Sequence, residues 1–102
     1  MLPAEFDIGE LHIRQVEGEA VRNEFGSGFT MGGHHERWPY IPEGEVWIEE
    51  GMSSLDQLAT LVHELYEIEL MDSGLSYDEA HDRADVVEDR FRRKCDAEGV
   101  SR

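Results

Sequence analysis

The sequence predicts an α+β protein, with a small N-terminal β/extended region over about residues 1–50 followed by an antiparallel helix pair. Three observations carry this. EVWIE (45–49) alternates β-branched or aromatic residues with acidic ones between Gly44 and Gly51, the pattern of a strand. From Ser54 onward the apolar period changes to that of a helix, with Leu55, Leu58, Leu61, Val62, Leu65, Ile68 and Met71 in phase. After Asp72–Leu75 a second helical stripe begins, and so short a connection makes the two helices antiparallel neighbours.

Taken in order, the first element stays open. Leu11, Ile13 and Val16 fit a short strand that loses register, whereas Ile13, Val16, Ala20 and Phe25 fit a helix interrupted by Gly18, so residues 10–25 are compatible with either. GSGFTMGGHHERWPYIPEG (26–44) carries glycines at 26, 28, 32, 33 and 44 and prolines at 39 and 42, and reads as turns and extended chain. The strand 45–49 follows. A motif helix spans 53–72, with Ser53 or Ser54 able to cap its start and Gly74 just past its end. A second helix spans 76–97, opened by the capping box Ser76/Glu79 and stopped near Gly99; Tyr77, Ala80, Ala84, Val87, Phe91 and Cys95 form its apolar stripe. A chain of 102 residues without repeats or low-complexity tracts reads as one domain, 1–102.

Charge narrows the partners. The formal charge is −15, from 24 acidic against 9 basic residues, and Lys94 is the lone lysine. Such a chain repels nucleic-acid phosphate and anionic lipid, so neither nucleic acid nor membrane is expected as a partner, whereas metal ions and cationic partners are compatible. No apolar run approaches a membrane span, and MLPAEFDIGE lacks the basic and apolar regions of a signal peptide. A single cysteine, Cys95, permits no internal disulfide and fits a reducing compartment, so the expected location is cytoplasmic.

The chemistry-bearing residues lie on the two helices. His63 and Glu67 are i and i+4 and share a face bracketed by Ala59, Thr60, Tyr66, Leu70 and Met71. A carboxylate so placed needs a cation, a donor or a metal. On the second helix His81 sits at the edge of the stripe, with Asp85 and Glu88 on its side, and the short turn brings it back toward His63 and Glu67. Two histidines and a glutamate then converge, with Asp85 or Glu88 placed to orient His81 or to serve as a fourth ligand. That donor set suits zinc, with other divalent transition metals possible. His34 and His35 follow two glycines and read as an ordinary solvent-facing loop; alternation along extended chain lets at most one of them enter a site.

LVHELYE (61–67) resembles the H-E-x-x-H string of zincin metallopeptidases, with glutamate where the second histidine stands. EVWIEEGMSSLDQLATLVHELYE (45–67) has the strand, loop and helix of that family in order, and the likeness covers about residues 44–88. It implies a minimal, zincin-like fold of the gluzincin type acting on a peptide or protein. Carried over, His63 is the first zinc ligand, Glu64 the general base toward a water on the metal, Glu67 the second ligand and His81 the third. A glutamate at the second position lowers the charge of the centre and weakens its Lewis acidity.

Other readings use the same residues. A non-catalytic, metal-stapled binding module, of a size that suits a phage or mobile-element protein, would close the ligand shell with Asp85, Glu88 or a histidine of 34/35. An all-helical nucleotide pyrophosphohydrolase would pair Glu64/Glu67 with Glu79/Asp82 or Asp82/Asp85 around magnesium. A plain interaction protein would have no site.

Overall fold

A computed structural model describes residues 2–99 and shows an α+β chain built on a four-stranded mixed sheet with three helices. The strands are β1 (Glu5–Ile8), β2 (Leu11–Val16), β3 (Gly32–His34) and β4 (Glu45–Glu49); the helices are α1 (Gly18–Phe25), α2 (Ser54–Asp72) and α3 (Tyr77–Ala97). The sheet order is β1-β2-β4-β3. β1 and β2 form an antiparallel hairpin, β2 runs parallel to β4 with Ile13 opposite Val46, and β3 returns antiparallel along the other side of β4 with His34 opposite Val46.

Residues 10–25 resolve the ambiguity of their sequence by using both patterns in succession. Leu11–Val16 is strand and Gly18–Phe25 is helix, with the change at Gly18. A Cβ at Gly18 would lie 2.2 Å from the Glu49 carboxylate, so a larger residue here would push that flexible side chain aside. Glu49 in turn receives both terminal nitrogens of Arg22, at 3.0 and 3.1 Å, which ties α1 to the end of β4. The expectation that 26–44 is wholly turn and extended chain needs one correction: its Gly32–His34 segment is a paired edge strand.

The core lies between the sheet and α2. Ile13, Val46 and Ile48 are fully buried and meet Leu61 and Ile68 of α2, with Leu65 packed beside them. The two long helices are capped as their sequences dictate. The Ser53 hydroxyl accepts from the Asp56 amide at 3.1 Å, and the Ser76 hydroxyl accepts from the Glu79 amide at 3.2 Å while donating to the Glu79 carboxylate at 3.0 Å. Gly74, at φ 110, turns the chain between them. Cross-helix pairs run in opposite order, Asp56 to Arg92, His63 to Glu88 and Glu67 to His81, so α2 and α3 are antiparallel. Ala80 and Ala84 are fully buried, and their small side chains allow the close helix contact that brings His81 to α2. No helix among the described residues is long and apolar enough to cross a membrane.

Candidate functional site

The helical spacing that places His63, Glu64 and Glu67 on one side of α2 also turns all three inward: their exposures are 7%, 6% and 2%. They border a cavity of about 200 Å³ whose other walls come from the 28–32 segment, Arg37–Trp38 and α3. Packing of β3 over α2 depends on Gly32, where a Cβ would lie 2.6 Å from Thr60 Cγ2 and 3.0 Å from the Trp47 carbonyl oxygen. That approach carries the next side chain but one, His34, into the interior.

Glu67 is the hub. Its Oε1 lies 2.6 Å from His34 Nε2, and its Oε2 lies 3.0 Å from both His63 Nε2 and His81 Nδ1. The two histidine nitrogens are 3.3 Å apart. The Glu36 amide donates to His34 Nδ1 at 3.2 Å, which fixes the tautomer: Nδ1 is an acceptor and Nε2 carries the proton it donates to Glu67. His34 therefore orients the carboxylate so that Oε2 faces the two helical histidines.

The far nitrogens of those histidines meet α3 carboxylates. Glu88 Oε1 lies 3.0 Å and Asp85 Oδ1 3.4 Å from His63 Nδ1, and Asp85 Oδ2 lies 3.4 Å from His81 Nε2. His63 Nδ1 is buried and makes no hydrogen bond, so Glu88 and Asp85 reach it as charges standing off its N–H direction. The Tyr77 hydroxyl lies 3.4 Å from His81 Nδ1, completing the wall.

The electrostatics follow from this crowding. Burial alone would raise Glu67, but hydrogen bonds from His34, His63 and His81 hold it down to about 2. Burial alone would lower His63, but the Glu67 hydrogen bond and the charges of Glu64, Glu67 and Glu88 push it up to about 9. Burial and the neighbouring Glu67 charge push Glu64 up to about 8. Carboxylates outnumber cations around the cavity, an imbalance that a bound positive charge would relieve.

Three overlapping groups bring possible ligand atoms within 4.8 Å of one another: His63/Glu67/His81, His34/Glu64/Glu67 and His63/Asp85/Glu88. The five residues singled out in the sequence, His63, Glu64, Glu67, His81 and Asp85, all come to this one cavity. Asp85 does so on the histidine nitrogens opposite those that meet Glu67. The solvent-facing loop expected at 34/35 is corrected for His34, which is 0% exposed; as alternation requires, only one of the pair enters. The signal for it was the glycine pair just before the histidines. Of the further carboxylates a pyrophosphohydrolase would pair with Glu64 and Glu67, Asp85 lines the cavity, whereas Glu79 and Asp82 are exposed and belong to none of the three groups among the described residues. Compared with protein-family models, curated proteins and solved structures, the chain matches none.

Proposed function

We propose that this chain is a zinc-binding, zincin-like hydrolase acting on peptide bonds, with His63, Glu67 and His81 as ligands and Glu64 as general base. The observation that carries the reading is the triangle of His63 Nε2, His81 Nδ1 and Glu67 Oε2, with edges of 3.3, 3.0 and 3.0 Å. Ligand atoms about 2.0–2.1 Å from a tetrahedral zinc stand roughly 3.3–3.4 Å apart. The triangle needs only a small outward relaxation along its Glu67 edges to match. Another divalent transition metal would meet the same donors.

A zinc ion there would polarise a carbonyl oxygen and lower the pKa of a coordinated water. The chain supplies the rest. Glu64 lines the same cavity from the next position on α2, with Oε2 3.9 Å from His63 Nε2. Its raised pKa suits a base that must take and return a proton near neutrality, and a cation beside it would draw that pKa back down. His34, by donating to Glu67 Oε1, withdraws charge from Oε2 and offsets part of the Lewis acidity lost by having glutamate in place of histidine. Asp85 stands at the outer nitrogens of both His63 and His81, and Glu88 at that of His63, placing negative charge behind the two rings. Asp85, at 57% side-chain exposure, is free to swing in as a fourth ligand, which is the feature favouring the metal-stapled, non-catalytic module.

Glu64→Gln separates these readings. The wild type should cleave members of a fluorogenic random peptide library in the presence of zinc. Glu64→Gln should keep its zinc and lose at least about 100-fold in rate, the scale of a missing general base. Full activity in Glu64→Gln, or a zinc-loaded wild type that cleaves nothing in the library, overturns the hydrolase in favour of the stapled module.

A further inference from the structure

We propose that Arg37 forms an anion subsite in this cavity and takes the carboxylate of the substrate, so that the substrate class is a carboxylate-bearing amide such as an N-acyl amino acid or a peptide C-terminus. The proposal deepens the hydrolase reading and rests on it for the reaction, though not for the binding. Arg37 is the one Lys or Arg among the residues that line the cavity. Its guanidinium carbon lies 4.1 Å from the Trp38 ring centroid and 4.6 Å from that of Tyr77. Stacking on two rings fixes the plane of the fork before any ligand arrives.

What the fork lacks is a partner of opposite charge. Arg14, Arg22, Arg92 and Arg93 each pair with a carboxylate; among the described residues Arg37 pairs with none, a lack it shares with Arg83, Arg90 and Lys94 of α3, but of these Arg37 alone lines the cavity. Its Nε is buried and without a hydrogen-bond acceptor. Tyr77 links this arginine to the metal-ligand triangle, since its ring lies under Arg37 and its hydroxyl is 3.4 Å from His81 Nδ1. A group held by the fork is therefore about one aromatic ring away from His63, Glu67 and His81. The match is to a planar, singly charged carboxylate, which meets a guanidinium in two parallel hydrogen bonds. A phosphate dianion would meet more repulsion from Glu64, Glu67, Asp85 and Glu88 across the same small space.

The test is calorimetric binding of hippurate, hippurate methyl ester and phenyl phosphate to the full chain, with zinc content measured on each sample. Hippurate should bind the wild type at least about tenfold more tightly than its uncharged ester, the scale of a charge-assisted hydrogen bond. Arg37→Gln should erase that preference with zinc content unchanged, and Arg37→Lys, which keeps the charge and loses the fork, should retain part of it. Equal binding of acid and ester, or a preference that survives Arg37→Gln, overturns the subsite. Phenyl phosphate binding more tightly than hippurate overturns the assignment to carboxylates. Should the wild type take up no zinc, the metal reading falls by itself, and the acid-to-ester ratio on that zinc-free protein still decides the role of Arg37.

Discussion

His34→Leu removes the hub's outer support while nearly conserving volume, so its cost is that of lost hydrogen bonds rather than of a cavity. His34 is 0% exposed and Glu67 2%, and the bond between them is 2.6 Å. A hydrogen bond to a buried charged group contributes about 1.5–3 kcal/mol. The substitution also leaves the Glu36 amide without the acceptor it now meets at 3.2 Å, which adds about 1 kcal/mol. The expected loss is therefore about 2.5–4 kcal/mol out of a total of about 5–15 kcal/mol for a domain of this kind. At about 4–8 °C per kcal/mol, Tm should fall by more than about 10 °C. The assay is urea and thermal unfolding of chelator-treated protein, with His35→Leu as control, because the His35 side chain makes no hydrogen bond among the described residues. His34→Gln, which can still donate to Glu67, should recover part of the loss. A loss under about 1 kcal/mol for His34→Leu, or one equal to that of His35→Leu, would refute the reasoning that His34 carries the hub.

Three further outcomes follow from the same contacts. In zinc-free protein His63 is held up at about 9 and Glu64 at about 8, so the folded chain keeps protons that the unfolded chain releases; the stabilisation from His63 is complete below its ordinary 6.5 and lost as pH rises through 9, and that from Glu64 is lost between 4.5 and 8. Melting temperature without metal should thus fall between pH 6 and pH 9, while the increment given by zinc grows over the same range as the histidine proton leaves; a zinc-free Tm that rises with pH contradicts this. Gly32→Ala should cost about 1–3 kcal/mol by pressing on Thr60 Cγ2, and Thr60→Ser should return part of it, as read by urea unfolding; an unchanged midpoint would show that β3 does not need the close approach. Metal removal should lower the melting temperature, since the ligands tie α2 to α3; a Tm indifferent to a strong chelator, in protein shown to lose zinc, counts against that.

Much of this arrangement can be read along the chain, and what cannot has identifiable causes. α2 and α3 announce themselves because each buries one face against a neighbour, so Leu55, Leu61 and Ile68, or Ala80 and Ala84, recur at helical period. The convergence of His63, Glu67 and His81 follows from that period and a short turn. β1, Glu-Phe-Asp-Ile, alternates over four residues, too short a run to separate from chance, and only Phe6 of the four is partly covered. β3 is Gly-Gly-His, three residues whose strand character comes from pairing with β4 and not from propensity. His34 is buried through a tertiary contact, Gly32 on Thr60; the glycine pair marks a close approach without saying what approaches. At Gly18, where strand gives way to helix, the neighbour is the Glu49 carboxylate, which lies far along the chain.

Metal binding by His63, Glu67 and His81 is the expectation on which the rest depends. Elemental analysis of tag-free protein, reconstituted with zinc and passed through a desalting column, tests it directly. About one zinc per chain is expected in the wild type and none retained in His63→Ala or His81→Ala, each measured on protein whose circular dichroism shows it folded. A wild type without stoichiometric metal, or folded variants that keep it, would show that these three residues do not hold a metal.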